Sequence, residues 1–296
     1  MGIKKTATVV LGGGSALGLA HIGVLSILEQ NFEIKAIVGT SMGAIVGALY
    51  ASGLDTDSIL EIASRQSNAK VFSPFNLDTR IRGIFDGHFV YKLFTDWTSK
   101  MNIEEGRIPF MACAYDLNSR CSVLFDKGLY ADAMRASSSI PFIFAPFRFG
   151  SYLFVDGGIE YPLPIAFADL FENELVIAVN VLPSVANKAT LINPGSYTKS
   201  PTKRIHRSEI VLQSVLNNQA YLALKDTTTY EPAIVIEAAM PEARPYAFHK
   251  SKAFYDYGRL MAVKTLSEYK EPHFIDKIRK HYVNLTSKGH ILEDIS

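Results

Sequence analysis

Two short apolar runs, each interrupted by glycine and each leading into a helix of small residues, restrict the folds open to this chain more than any other feature. The first is "TATVVLGGGSALGLAHIGVL", Thr6–Leu25, and the second is "FEIKAIVGTSMGAIVGALYASG", Phe32–Gly53. Thr6–Leu11, "TATVVL", reads as a buried strand. Ala20, Gly23, Val24, Ile27 and Leu28 then recur at helical spacing, which predicts a helix over Ser15–Gln30. "FEIKAIVG" predicts a second strand and Met42–Ser52 a second helix. Strand–helix–strand–helix at this spacing implies a mainly parallel sheet with helices on its faces.

The same reading predicts strands at Phe110–Tyr115, Cys121–Phe125, Tyr152–Val155, Leu175–Val181 and Ala233–Ala238. It predicts helices over Tyr130–Ser137, Arg204–Lys225 and Ser251–Glu268, and a polar, turn-rich loop over Ser184–Pro201. No composition break divides the chain. The expectation is one α/β domain over 1–296, with a motif-bearing core of about 6–183 and a C-terminal extension of about 200–296.

Composition narrows the partners. With 48% hydrophobic residues, 20% charged and a net charge of +1, core material is ample and the basic footprint of a nucleic-acid binder is missing. No run reaches the ~18 apolar residues of a membrane span. The opening "MGIKKTATVVLGGG" has too short an apolar run for a signal peptide. "MGIKKT" fits a myristoylation pattern, but Thr6 already begins a strand. The basic run "KEPHFIDKIRKHYVNLTSK" reads as a solvated helix face. Cys113 and Cys121 make no disulfide framework and are expected as reduced, buried thiols. The expectation is a cytoplasmic protein with no metal, no cofactor and no nucleic-acid partner.

Gly39-Thr40-Ser41-Met42-Gly43 is a Gly-x-Ser-x-Gly turn between a strand and a helix, the setting of a nucleophile elbow. Glycine is needed on both sides because side chains there would meet neighbouring backbone. Gly43, Gly47 and Ala51 continue as a row of small residues that lets the helix approach the sheet. The helix N-terminus under Ser41 favours developing negative charge. The competing reading is a serine that merely caps the helix. The loop "LGGGSALGLA" fails as a dinucleotide fingerprint in both glycine registers. It also fails as a Walker A loop, since Leu19-Ala20 stand where Lys and Ser/Thr are required. Amide donors without a lysine suit a small transient anion, such as the oxyanion of an acyl-transfer intermediate.

Taken together, three blocks resemble the patatin-like phospholipases, or patatin-like serine acyl hydrolases. They are "GGGSALGLAHIGVL", "GTSMGAIVGALYASG" and "LFVDGGIEYPLP", in that family's order, and the likeness runs from about Thr6 to Val263. The resemblance implies a three-layer α/β/α fold, with Ser41 as nucleophile and Asp156 of the Asp156-Gly157-Gly158 motif as base, without histidine. It implies an oxyanion hole from the amides of Gly13, Gly14 and Ser15, and a fatty-acyl ester of a lipid as substrate, with transient membrane-surface contact. This chain departs from the family where Ser15 replaces a glycine and Leu17 an arginine or lysine. If Ser15 takes a positive φ, strain of order 1–2 kcal/mol follows. Loss of the cation at Leu17 implies weaker preference for anionic head groups, or a differently braced loop.

From the residues alone, Asp156 is not separable from Asp116, Asp126 or Asp132, and an aspartate before two glycines is ordinarily a turn residue. Burial raises a carboxylate's pKa, and contact with the hydroxyl supplies the proximity that basicity lacks. The rival is a Ser-Asp-His triad, with His206, His249, His273, His281 and His290 after Asp156. His21 reads as a hydrogen-bonded structural residue. A second rival is a catalytically silent lipid-binding or regulatory protein. Phe142, Phe144, Phe147, Phe149 and Phe154 read either as core or as the wall of an acyl channel. Ser73–Trp97 mixes aromatics with turns and reads as a lid or entrance wall.

Overall fold

Among the described residues, eight strands form one sheet whose alternate residues feed two different cores. The computed structural model describes residues 4–67, 87–185 and 207–269. The strands are β1 (Thr6–Leu11), β2 (Glu33–Thr40), β3 (Phe110–Asp116), β4 (Cys121–Phe125), β5 (Phe147–Phe149), β6 (Tyr152–Asp156), β7 (Leu175–Asn180) and β8 (Ile234–Glu237). The helices are α1 (Ala20–Asn31), α2 (Met42–Ala51), α3 (Thr56–Ser67), α4 (His88–Trp97), α5 (Tyr130–Ser137), α6 (Arg207–Tyr230) and α7 (Ser251–Glu268). β3, β2, β1, β7 and β8 run parallel, while β4 and β6 pair antiparallel with β3.

Side-chain alternation assigns the layers. Val9, Leu11, Ile37, Phe110, Ile177 and Val179 point into the larger core, beneath α1, α2, α5 and α7. Val10, Val38 and Ala178 point the other way, to Leu212, Leu216, Ala220 and Ala223 of α6. This is the expected α/β/α arrangement. The pattern is the period of two of a strand covered on both faces, which is why its residues read as an unbroken apolar run.

The C-terminal elements are built into this architecture. β8 extends the sheet beside β7, and α7 crosses α1 at backbone distance. A Cβ on Gly23 would lie 1.9 Å from the Tyr255 carbonyl oxygen, and one on Gly258 2.0 Å from that of Ala20.

The boundaries differ from the sequence reading in one informative place. The helix expected from Ser15 divides into a 3-10 turn, Ser15–Leu19, and then α1. The Ala16 N–H donates to the Pro245 carbonyl at 3.0 Å rather than into the helix. The Ser73–Trp97 lid reading lies largely outside the described residues, apart from α4. The "KEPHFIDKIRKHYVNLTSK" reading and most of the Ser184–Pro201 loop lie outside them too. Cys113 is buried as expected, but Cys121 is exposed, because β4 is an outer strand of β3.

The α1–α7 crossing sets the first test. Gly23→Ala and Gly258→Ala are each expected to lower the unfolding free energy by roughly 1–3 kcal/mol through overpacking. The double variant should lose less than the sum, since either methyl opens the same crossing. Urea denaturation measures all three; wild-type stability in Gly23→Ala would refute the close approach.

Candidate active site

Two strands sharing one flank of β3 assemble the site. β4 occupies the other flank over Ala112–Asp116, so β2 and β6 must lie on the same side. β2 ends with Thr40 opposite Cys113, and β6, running the opposite way, ends with Asp156 opposite Ala114. Cys113 and Ala114 are consecutive. The two strand ends therefore face one another, bringing Ser41 and Asp156 together.

Ser41 has φ 55° and ψ −120°, a positive-φ conformation costing a non-glycine residue about 1–3 kcal/mol. Its surroundings hold it there. A Cβ on Gly39 would lie 2.6 Å from the Ala44 nitrogen, and one on Gly43 would lie 2.1 Å from the Leu11 oxygen. The Ser41 N–H donates to Ser137 Oγ at 2.8 Å, and that hydroxyl donates to the Cys113 carbonyl at 2.6 Å. Ser41 occupies the N-cap position of α2, yet its hydroxyl makes no capping bond. The hydroxyl is not spent on the helix.

Asp156 is buried. Its N–H donates to the Ser139 carbonyl at 2.9 Å, and its Oδ1 accepts the Gly158 N–H at 2.8 Å. Oδ2 has no hydrogen-bond partner. Burial raises the pKa to about 6, opposed first by the Ser41 hydroxyl and then by the Gly158 amide. The hydroxyl is thus near enough to favour the ionised form, without closing a full hydrogen bond on Oδ2. Such contacts tighten when substrate is bound.

The other aspartates are in different situations. Asp116 is also buried, which by itself raises a carboxylate's pKa. Donors from Ser119, Leu153 and Asn118 overcome that and hold it at about 2. It ties the β3–β4 turn to β6. Asp132 accepts the Tyr91 hydroxyl at 3.0 Å, and Asp126 is exposed. A buried carboxylate with one free oxygen beside a nucleophile candidate is found at Asp156, not at these three.

The glycine loop runs past the same point. A Cβ on Gly13 would lie 3.3 Å from Ser41 Cβ. The Gly12 and Gly13 N–H groups are already committed, to the Val179 carbonyl at 3.1 Å and the Pro162 carbonyl at 2.8 Å. The amides of Gly14 and Ser15 have no acceptor among the described residues. The donor set expected from Gly13, Gly14 and Ser15 is therefore narrower by one, because Pro162 takes the Gly13 amide. Ser15 does adopt a positive φ, 52°. Leu17 is buried in the larger core, and its N–H closes the turn on the Gly14 carbonyl at 3.1 Å. Bracing by Pro245 and an apolar anchor thus stand where a cation was missing.

His21 is buried beside this loop. Burial depresses its pKa to about 4, against the opposing bond to the Gly12 carbonyl, so the ring is neutral and Nε2–H donates to that carbonyl at 2.8 Å. His249 is exposed; His206, His273, His281 and His290 lie outside the described residues. Among the described residues no His, Cys, Asp or Glu side chains group as metal ligands, and no helix is long and apolar enough to cross a membrane. The phenylalanines divide: Phe154 is core, Phe144 and Phe147 flank the Arg135 guanidinium, and Phe142 and Phe149 are exposed.

Residues 9–169, more than half the chain, match the family profile described as patatin-like phospholipase. The chain belongs to that family. An uncharacterized NTE family protein of Mycobacterium tuberculosis is 34% identical over 208 residues, covering 70% of this chain and 57% of that protein. Neuropathy target esterase sws of Drosophila melanogaster is 29% identical over 182 residues, covering 58% of this chain and 13% of the esterase. The chain thus spans little more than half the length of the mycobacterial relative. Among solved structures, VipD from Legionella pneumophila gives a TM-score of 0.44 at 12% identity, over 97% of this chain and 74% of that one.

Three residues packed about the candidate site escaped the sequence reading. Ser137 and Ser139 stand in "ASSSIPF", where a serine triplet before Ile-Pro closes α5 and supplies bonds to both strand ends. Gln219, whose amide lies against Gly158 and near Gly13, comes from α6 with no local signal at all.

Burial of Asp156 has a stability consequence of definite sign. Its folded pKa lies above its unfolded value near 3.8, so the folded state binds more protons between pH 4 and 6. Stability contributed by the neutral acid is present below that window and is lost as pH rises through it. Asp156→Asn is expected to be more stable than wild type at pH 8, by on the order of 2–3 kcal/mol, with the advantage nearly gone at pH 4. Denaturant titrations at the two pH values measure this; an equal difference at both would contradict it.

Proposed function

We propose that this protein is a serine acyl hydrolase acting on fatty-acyl esters of lipids through a Ser41–Asp156 dyad. One observation carries the reading: an uncapped serine on a strained elbow faces a buried carboxylate whose free oxygen has no other partner. Family membership and the likeness to a neuropathy target esterase support ester chemistry on lipids.

In this mechanism Asp156 takes the Ser41 proton as Oγ attacks the ester carbonyl. The raised pKa brings the carboxylate closer to the basicity the task needs, while leaving it ionised at neutral pH. The carbonyl oxygen becomes an oxyanion within reach of the Gly14 and Ser15 amides, and the N-terminus of α2 adds its dipole. The alcohol leaves with the proton from Asp156, and water then releases the fatty acid from the acyl-enzyme. His21 has no part in proton transfer, because its Nε2 is held by Gly12.

The test is hydrolysis of an ester chain-length series. Ser41→Ala and Asp156→Asn should each lose roughly four orders of magnitude or more, while His249→Ala keeps wild-type rates. In the wild type kcat/KM should climb about tenfold per pH unit below pH 6 and level off above it, as Asp156 ionises. A folded histidine variant as inactive as Ser41→Ala would transfer the role of base to that histidine. Failure of a fluorophosphonate to label Ser41 in the wild type would remove the hydrolase reading altogether.

A further inference from the structure

α6 presents a buried face of Leu212, Leu216, Ala220 and Ala223 to the sheet. Two polar residues, Gln219 and Asp226, interrupt it, and Gln219 is the one whose amide lies by the glycine loop and the Asp156 turn. Gln219 is 4% exposed, and among the described residues no hydrogen bond holds its side-chain amide, yet neither amide atom is sealed off. A nearly buried amide left in contact with space rather than with protein partners can take a water, and it calls for an explanation.

Its position supplies the explanation. A Cβ on Gly158 would lie 2.2 Å from Gln219 Nε2 and 2.9 Å from Asp156 Oδ1. At the other end, a Cβ on Gly13 would lie 3.8 Å from Gln219 Oε1 and 3.3 Å from Ser41 Cβ. The amide therefore lies between the Asp156 turn and the glycine loop beside Ser41; a side chain at Gly158 would collide with it, while one at Gly13 would only touch it.

We propose that the Gln219 amide positions the water that hydrolyses the acyl-enzyme. The proposal rests on the Ser41–Asp156 reading above. A water attacking an acyl carbon needs a base for one proton and a second hydrogen bond to fix the direction of its lone pair. Asp156 offers the first through its free Oδ2. Gln219, with a donor and an acceptor at one place, offers the second. The water gives a proton to Asp156 as its oxygen bonds the acyl carbon. The tetrahedral adduct then expels Ser41 Oγ, which recovers that proton, leaving a free acid and a free serine. Acylation by an ester does not use this water. Gln219 should accordingly matter to the second half of the cycle and little to the first.

The experiment separates the halves, using wild type, Gln219→Met, which keeps length but removes the amide, and Gln219→Asn, which keeps the amide but retracts it by one methylene. Fluorophosphonate labelling of Ser41 reports the first half. Pre-steady-state release of p-nitrophenol from p-nitrophenyl esters, with intact-protein mass, reports the second. Gln219→Met is expected to label within about twofold of wild type. It should also give a burst approaching one equivalent, carry an acyl group on Ser41, and turn over roughly tenfold to a hundredfold more slowly, the worth of one buried hydrogen bond. Hydroxylamine should release the trapped acyl group. Gln219→Asn should show the same burst, and it carries the test if Gln219→Met does not fold. Labelling and turnover falling together without an acyl adduct would reduce Gln219 to a packing residue, and unchanged turnover would overturn the proposal as well. A wild type that labels while the variants lack the burst refutes only the role of Gln219; a wild type that does not label refutes the hydrolase reading and this inference with it.

Discussion

One flank of β3 is shared by two strands running toward each other, and the geometry of the site follows from that sharing. With β4 on the opposite flank, β2 and β6 compete for the same edge and divide it at the Cys113–Ala114 peptide. Neither can advance without displacing the other. Ser41 and Asp156 are the residues left at that junction, so their proximity is fixed by backbone pairing rather than by flexible side chains. Register errors would be expensive: slipping β6 by one residue turns every side chain to the other face, placing Asp156 away from Ser41 and exposing Phe154 of the core.

The junction stores unfavourable energy that its surroundings hold in place. Ser41 is strained, Asp156 is ionised in a buried setting at neutral pH, and Ser15 adds a second positive φ in the glycine loop. Opposing these is a dense set of backbone bonds supplied by neighbouring elements. Ser137 and Ser139 at the end of α5 reach both strand ends, and Thr40 Oγ1 donates to the Tyr161 carbonyl at 2.8 Å beyond the Gly157–Gly158 turn. Strain at a site persists where the surrounding structure over-determines it, and these bonds are that over-determination.

Local physics was legible in the sequence where it acts over a few residues. The strands, α5, α7 and the elbow were readable because β-branched runs, helical spacing and obligatory glycines are short-range signals. Gly39 and Gly43 could be argued from the turn alone, and a Cβ at either would meet neighbouring backbone. Asp156 could be chosen over Asp116 only through family resemblance, because what distinguishes the two is how many donors β6 and its turn deliver to each, a matter of tertiary pairing. What the Gly13 amide bonds to is a tertiary matter of the same kind: Pro162, far along the chain, accepts it. Leu17, read as a lost cation, is an anchor in the larger core, and nothing in its immediate neighbours declares which way a loop side chain points.

The matched family region ends at residue 169, but the site does not. Pro245, in the connection between β8 and α7, braces the glycine loop through Ala16, and α6 lays Gln219 between that loop and Asp156. The elements that bring Ser41 and Asp156 together are therefore distinct from those that brace the glycine loop and place Gln219 beside it. A site divided in this way can keep its serine and aspartate while the later part of the chain changes what stands beside them. In this chain that later part brings the Gln219 amide to the junction, against Gly158 and beside Asp156, so under the role proposed for it the rate of acyl release would depend on α6 rather than on the motifs by which the family is read.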